Sequence, residues 1–391
     1  MSSPEKYIKS SIRNMPPSGI RKYFDLINEM EDVISLGIGE PDFVTPWQIR
    51  EAGIYALEKG HTHYSANAGI KELRIEISSY LKRKYDVTYN AEDEILVTVG
   101  ASEGIDLALK AILEPGDEVV LPEPSFVAYR GCITVSGGVP VSLKLKEENL
   151  FKIDPADLEA VITEKTKAVI IPYPNNPTGA VMTGSELEEI VKVLRDKDVV
   201  IISDEIYSEL TYGFDFRSLG TFPEIRDRLI LVNGFSKSHA MTGWRLGFVC
   251  GCSEIIKHMF KIHQYTLMCA PTPAQYAGIE ALKNCDYEVE NMVNEYDKRR
   301  KFILKGVRDM GLKCFEPMGA FYIFPNITST GLTSDEFCEG LLKSERVLMV
   351  PGTAFGEGGE GYVRATYASS LENIKEALVR TERFVRSLQE K

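Results

Sequence analysis

The sequence predicts an α/β protein that has a largely parallel open sheet and a smaller α+β unit. From residue 94 to about residue 264, short apolar segments alternate with amphipathic ones, the pattern of strand–helix–strand units. The strand segments are apolar throughout, which indicates burial on both faces of a sheet. Beyond a long charged helix that begins near residue 287, shorter mixed segments indicate a second unit.

The larger unit is assembled from short strands and the helices between them. Two amphipathic helices are predicted at 47–59 and 70–85, ahead of the first strand. Strands are predicted at 94–99, 118–121, 139–143, 167–172, 199–202, 229–232 and 246–250. Helices are predicted after Ser102, from about 124, and at 155–163, 185–197, 254–264, 273–283 and 287–310.

The two ends of the chain predict the smaller unit. A helix is predicted at 20–30, before a turn at 37–43 that contains two glycines and a proline. At the other end, strands at 320–324, 347–350 and 362–366 precede an amphipathic helix at 371–388. We therefore expect a large domain at 45–285, and a small domain formed by 1–44 together with 286–391.

Composition excludes several classes of protein. The net charge of −12, from 45 basic and 57 acidic residues, argues against nucleic-acid binding. No apolar run reaches the roughly 18 residues that a membrane span needs, and the start lacks the apolar core of a signal peptide. The seven cysteines are scattered and form no CxxC pair. We expect a globular cytoplasmic protein with reduced thiols.

The stretch 234–247 carries the strongest chemical signal. Lys237 follows the apolar strand 229–232 among small residues, where desolvation would lower its pKa and leave a nucleophilic amine. Arg245 could provide a fork for a phosphate, with the hydroxyls of Ser236 and Ser238 nearby. The alternative interpretation is a basic loop after a strand.

Three other groups follow predicted strands. Ala101 and Ser102 begin a helix, where free backbone N–H groups suit a phosphate, although ordinary capping explains small residues equally well. Asn176 lies in a turn after strand 167–172. Asp204 follows strand 199–202, with Tyr207 close behind. Asp204 could cap a short helix, or be buried and require a cationic partner. Ligands of open parallel sheets bind beyond the carboxyl ends of the strands, so we expect these groups to meet.

No metal site is predicted. His61 and His63 lie two residues apart on a predicted loop and have no third ligand, which makes surface histidines the simpler interpretation.

These motifs resemble those of pyridoxal-phosphate-dependent aminotransferases of class I, which have the aspartate aminotransferase fold. The resemblance covers nearly the whole chain. Its motifs, in order, are Gly39-Glu40-Pro41-Asp42, Tyr64, Asn176-Pro177-Thr178-Gly179, Asp204-Glu205-Ile206-Tyr207, Ser236-Lys237 and Tyr362-Val363-Arg364.

The resemblance implies a role for each residue around the cofactor ring. Lys237 would bind pyridoxal phosphate as a Schiff base and later move the proton from the substrate Cα. Asp204 would keep the pyridine nitrogen protonated, so that the ring can accept electrons. Tyr207 and Asn176 would bond the phenolic oxygen. Phe126 would stack on the ring, in a position where other members have tryptophan.

The resemblance also implies the anion sites. The cofactor phosphate would rest on Ala101, Ser102, Ser236 and Arg245, and on Tyr64 from a partner subunit. This last role implies a homodimer with shared active sites. Arg364 would bind the substrate α-carboxylate as a bidentate pair, helped by Gly39 and Asn176. A surface ion pair is the alternative for Arg364.

The implied activity is transfer of the α-amino group of an L-amino acid to a 2-oxo acid such as 2-oxoglutarate, by a ping-pong mechanism. Residues 266–268, where dicarboxylate-specific members often have an arginine, are neutral. We therefore expect an aromatic or broadly neutral donor. Aspartate stays possible if Lys110 reaches the substrate, but a solvated helix face is the simpler interpretation of Lys110. The alternatives are a β-elimination lyase and, more remotely, a non-catalytic cofactor-binding regulator.

Overall fold

A computed structural model describes residues 4–17, 19 and 30–389 of the chain. The helix predicted at 20–30 lies, apart from Met30, outside these residues. The strands are β1 (Ile34–Ser35), β2 (Ile95–Thr98), β3 (Glu118–Glu123), β4 (Val139–Lys144), β5 (Thr166–Ile171), β6 (Val200–Asp204), β7 (Leu229–Gly234), β8 (Gly247–Cys250), β9 (Tyr322–Ile323), β10 (Val347–Leu348), β11 (Val350–Pro351) and β12 (Val363–Thr366).

The central feature is a seven-stranded sheet of order β2-β8-β7-β6-β5-β3-β4. Strands β4, β3, β5, β6 and β7 pair in parallel, whereas β8 is antiparallel to both of its neighbours, β2 and β7. The predicted α/β fold with a mostly parallel sheet is confirmed. Because parallel strands end at the same edge, the segments that follow β5, β6 and β7 are brought together there.

Helices cover both faces of this sheet. The helices are α1 (Ser10–Arg13), α2 (Trp47–Glu58), α3 (Lys71–Tyr85), α4 (Ala101–Ile112), α5 (Ala128–Val135), α6 (Pro155–Val161), α7 (Gly184–Leu194), α8 (Ser253–Thr266), α9 (Thr272–Asn284), α10 (Asp286–Asp309), α11 (Ser334–Glu345) and α12 (Leu371–Gln389). Along β7, Leu231 packs in one apolar cluster with Phe248, while Val232 packs in another with Ile105 of α4. This two-sided burial explains why the strand is apolar throughout.

Two smaller sheets are formed by the remaining strands. Strands β11, β12 and β9 form an antiparallel sheet, and β1 pairs in parallel with β10. The prediction of a single strand at 347–350 is therefore wrong. Before Met349 the chain pairs with β1, and after Met349 it pairs with β12, a change of partner that the apolar run itself does not reveal.

Within the described residues, we find no helix that combines the length and the apolar character needed to cross a membrane.

Candidate active site

A cavity of about 420 Å³ lies at the carboxyl edge of the large sheet. Eleven of the twelve side chains and glycines predicted for the site line it. They are Gly39, Ala101, Ser102, Phe126, Asn176, Asp204, Tyr207, Ser236, Lys237, Arg245 and Arg364. Residues that are far apart in sequence therefore meet in one place, as the strand-end pattern predicts.

Lys237 lies three residues beyond the end of β7, inside the cavity. Its Nζ donates a hydrogen bond of 2.6 Å to the carbonyl oxygen of Gly39. Burial, followed by the nearby charges of Arg364 and Arg245, lowers the pKa of the Lys237 amine to about 8. A considerable fraction of this amine is thus neutral and nucleophilic near physiological pH.

Asp204, the last residue of β6, is a buried carboxylate that faces the cavity. Its Oδ2 accepts a 2.6 Å hydrogen bond from the Tyr129 hydroxyl, and its Oδ1 accepts one of 3.1 Å from the backbone N–H of Ile206. Burial raises the pKa of Asp204, and these two bonds oppose that rise. A cationic nitrogen next to Asp204 would offset the cost of burying its charge.

Tyr207 lies in the turn that follows β6, three residues beyond Asp204. Its hydroxyl is 2.9 Å from the hydroxyl of Tyr322, and both rings are buried. Burial holds the pKa of Tyr207 well above its ordinary value, so the group remains a neutral O–H donor.

Arg364 projects from β12 and is almost fully buried. Its Nη1 donates to Asn176 Oδ1 at 2.9 Å, and its Nη2 donates to the carbonyl oxygen of Gly37 at 2.5 Å. Its Nε–H is buried without a partner, and no carboxylate pairs with it among the described residues. A buried guanidinium without a counter-ion is suited to bind a carboxylate.

The amino end of α4 forms an anion cradle. Gly100, at φ +79°, precedes Ala101 and Ser102 and lies against Arg245, whose Nη2 would be 2.9 Å from a Cβ at that position. A Cβ on Gly247 would come within 2.6 Å of the backbone nitrogen of Ala101. The strand, the arginine and the helix end can approach this closely only because both positions are glycine.

Phe126 lines the cavity in the loop before α5, which begins at Ala128 and not near residue 124 as predicted. The Phe126 ring meets the Tyr129 ring edge-on, with centroids 5.6 Å apart. This contact leaves a flat aromatic side chain at the cavity wall, suited to stacking on a planar ligand.

Two basic or aromatic residues considered from the sequence lie away from the cavity. Tyr64 is 78% exposed and does not line the pocket of its own chain. Lys110 lies in the last turn of α4, where its Nζ pairs with Asp106 at 2.7 Å and does not line the cavity.

The sequence interpretation missed Tyr129, Tyr322 and Thr242 among the lining residues. Tyr129 has a local signal, because the helix predicted from about 124 would place it one turn beyond Phe126. Tyr322 has none, because only the pairing of β9 with β12 brings it beside Arg364.

The chemistry of these groups defines a class of protein. A lysine nucleophile, a buried carboxylate for a cationic ring nitrogen, a hydroxyl donor and an anion cradle fit a phosphorylated pyridine aldehyde, with an α-carboxylate held beside it. Clusters of three or more metal-ligating side chains are absent from the described residues. The fold and the site together define a pyridoxal-phosphate enzyme that acts on amino acids.

Comparison with known proteins identifies the family. The family model for aminotransferases of class I and II matches residues 31–380. The chain is 50% identical to the putative aminotransferase YugH of Bacillus subtilis, over 97% of this chain and 98% of that protein. It is 46% identical to an aspartate aminotransferase of Pyrococcus abyssi, over 95% and 96% of the two chains.

Among solved structures, the chain is similar to an aromatic aminotransferase from Pyrococcus horikoshii. The TM-score is 0.90 at 45% identity, and the match covers 94% of this chain and 99% of that one. The protein therefore belongs to the class I and II aminotransferases. It is a pyridoxal-phosphate-dependent transaminase with amino-acid and oxo-acid substrates.

Proposed function

We propose that the enzyme transfers the α-amino group of an aromatic or other neutral L-amino acid to a 2-oxo acid such as 2-oxoglutarate. The cations that line the cavity within the described part of the chain are Lys237, Arg245 and Arg364. Each has a task with the cofactor or the α-carboxylate, so none remains for a second carboxylate of the donor. This observation supports a neutral donor over aspartate, although relatives are named for both kinds of substrate.

Arg364 is proposed to bind the substrate carboxylate. Two of its five N–H donors are used by Asn176 and Gly37, which fix the guanidinium plane and leave three donors. Asn176 is already oriented by this bond and can present its amide N–H groups to the bound substrate or cofactor. The carboxylate end of the amino acid is thereby placed next to Lys237.

The cofactor is proposed to be held by Lys237, by Asp204 at the ring nitrogen, and by Tyr207 and Asn176 at the phenolic oxygen. Phe126 is proposed to stack on its ring. When bound, pyridoxal phosphate accepts the electrons of the substrate Cα–H bond and carries the amino group between the two half-reactions.

The phosphate is proposed to rest on the backbone of Ala101 and Ser102, on Ser236 and on Arg245. Once released by substrate, Lys237 Nζ takes the proton from the substrate Cα. This step requires a neutral amine, which the lowered pKa of Lys237 supports.

A ping-pong order follows if Arg364 is the single binding site for the carboxylates of both substrates. The amino donor and the oxo-acid acceptor both have a carboxylate beside the reacting carbon, and we assign both to Arg364. The first oxo acid must then leave before the second binds. Parallel lines in double-reciprocal plots are expected, and intersecting lines would contradict this order.

A panel of amino donors with 2-oxoglutarate tests the substrate preference. We expect aromatic and neutral donors to give kcat/KM values at least about tenfold above that of aspartate, because a pocket without a second cation must bury one aspartate charge unpaired. Exclusive use of aspartate would overturn the preference. Reactions without an oxo acid, using cystathionine, test the lyase alternative through release of pyruvate and ammonia.

A homodimer with shared active sites is proposed from the exposed surface around Tyr64. The same surface carries Tyr265, which is 92% exposed, and the exposed Leu267 and Met268. Asn67 joins the two segments by a 2.7 Å hydrogen bond to the Met268 carbonyl oxygen. Exposed apolar side chains on two neighbouring segments are suited to burial against a second copy of the chain.

We further propose the division of the chain predicted from the sequence, with a large domain at 45–285 and a small one at 1–44 and 286–391. An apolar cluster formed mainly by the C-terminal helices and strands supports it. The seven unpaired cysteines support a cytoplasmic location.

A further inference from the structure

Tyr322 is a buried residue between the two halves of the candidate site. It lies on β9, whose Ile323 pairs with Ala365 of β12, so that the strand of Arg364 is its neighbour in the sheet. Its side chain has no measurable exposure to solvent, although its atoms line the cavity. It has no place in the functional roles proposed above.

The hydroxyl of Tyr322 contacts the hydroxyl of Tyr207. It lies 2.9 Å from the hydroxyl of Tyr207, and either oxygen could be the donor in this pair. In the described part of the chain it has no other hydrogen-bond partner. When Tyr207 donates its own proton to an oxygen in the cavity, the proton between the two hydroxyls must come from Tyr322, because each hydroxyl has one proton.

The ring of Tyr322 contacts the guanidinium of Arg364. The guanidinium carbon of Arg364 lies 4.5 Å from the centroid of this ring and 4.7 Å from that of Phe355. Both distances are within the range of cation–π attraction, which is strong for a desolvated guanidinium. The rings hold the guanidinium plane in place while its N–H donors stay directed at Asn176, Gly37 and the cavity.

The main chain at Gly39 packs closely against the Tyr322 hydroxyl. A Cβ at Gly39 would lie 2.5 Å from the Tyr322 hydroxyl oxygen and 3.7 Å from Arg364 Nη1. The carbonyl oxygen of the same glycine accepts the hydrogen bond of Lys237. The position of Tyr322 therefore depends on a glycine that also contacts the reactive lysine.

We infer that Tyr322 is a positioning residue that connects the hydroxyl of Tyr207 to the carboxylate-binding Arg364. The inference rests on the proposed function. The Tyr322 hydroxyl donates to Tyr207 and directs the Tyr207 proton at the cofactor's phenolic oxygen. Such a chain of two hydroxyls polarises the second donor and strengthens its bond to an anionic oxygen. Its ring fixes the plane of Arg364.

The variant Tyr322→Phe removes the hydroxyl and keeps the ring. A weaker bond to the phenolic oxygen favours the protonated form of the cofactor–lysine linkage. The pKa of the absorbance change in the cofactor-loaded enzyme should therefore rise by about half a unit to one unit. KM for the amino donor should change less than about threefold, since Arg364 keeps its aromatic neighbour.

The variant Tyr322→Leu removes both functions. It should show the same rise in pKa and, in addition, an increase of about tenfold or more in KM, because the guanidinium loses one of its two rings. Tyr173→Phe is the matched control. Tyr173 is buried and donates a 2.9 Å hydrogen bond to the Phe151 carbonyl oxygen outside the cavity, so its loss should leave the titration unchanged.

A Tyr322→Phe enzyme whose absorbance titrates with the wild-type pKa would overturn the inference. This holds even if its melting temperature falls, because a merely structural role would change stability alone. If that variant titrates like the wild type and still catalyses transamination, the proposed function stands and only the inference fails. A wild-type protein that forms no absorbing complex with pyridoxal phosphate would instead refute the proposed function.

Discussion

Replacement of Arg364 by alanine should abolish the recognition of the substrate carboxylate and leave the cofactor site in place. The guanidinium is buried, uses two N–H donors on Asn176 and Gly37, and has no carboxylate partner among the described residues. A bound α-carboxylate would gain two charge-assisted hydrogen bonds, each contributing about 1.5–3 kcal/mol. Their loss should lower kcat/KM by about 100-fold to 10,000-fold, at about 1.4 kcal/mol per factor of ten.

The assay compares two donors that differ only in the carboxylate. With phenylalanine, Arg364→Ala should show the full loss of kcat/KM. With 2-phenylethylamine, which has no carboxylate, the wild type and the variant should differ by less than about tenfold. The cofactor-loaded variant should keep the visible absorbance band of the bound cofactor, because Arg364 makes no bond to Lys237, Asp204 or Tyr207. The pH at which this band titrates should rise, because the Arg364 charge lowers the pKa of the Lys237 amine.

Two results would refute this reasoning. An Arg364→Ala enzyme that uses phenylalanine within tenfold of the wild-type kcat/KM would show that the carboxylate binds elsewhere. A loss of equal size with both donors would show that the substitution disturbs the cofactor or the fold.

Three further predictions concern other residues. Lys237→Ala should lose turnover and covalent cofactor binding. Capture of pyridoxal phosphate by the cofactor-free wild type should increase with pH around a midpoint near 8, where the amine becomes neutral. A midpoint above about 10 in rapid-mixing absorbance would contradict the lowered pKa of this lysine. Burial raises the pKa of Glu205 to about 7 from 4.5, so the folded state keeps a proton that the unfolded state releases in this range. From pH 5 to 8, the free energy of unfolding of wild type should therefore fall by up to about 3 kcal/mol relative to Glu205→Gln, as measured in urea; parallel pH curves would exclude it. Tyr64→Ala should weaken cofactor affinity. In dimers that combine one Tyr64→Ala chain with one Lys237→Ala chain, cofactor titration should show wild-type affinity at one site per dimer. No recovery in verified mixed dimers would argue against shared sites.

Much of the site could be predicted because it depends on strand order. Asp204 and Lys237 each follow an apolar run, and Asn176 follows another. Parallel strands end at one edge of a sheet, so knowledge of the runs was sufficient to expect these side chains together. The lowered pKa of Lys237 agrees with the same local pattern, since a small-residue environment at a buried strand end desolvates the amine.

Other parts of the site could not be predicted in this way. The hydroxyl of Tyr129 reaches Asp204 only because α5 presents that face to β6. The apolar run at 347–350 looks like one strand, yet the chain changes sheet at Met349. Periodicity reports which face of an element is buried, and it does not report which element covers that face.

The sequence by itself determined the order of strands and helices, the residues at the strand ends, and the chemistry that they offer to a phosphorylated aldehyde. Only the tertiary structure decided that Tyr322 lies between Tyr207 and Arg364, and that Lys110 does not line the cavity. The physical reason is that strand-end chemistry follows from local hydrophobic pattern and chain order. The partner of a buried hydroxyl or guanidinium follows from the packing of elements more than a hundred residues apart.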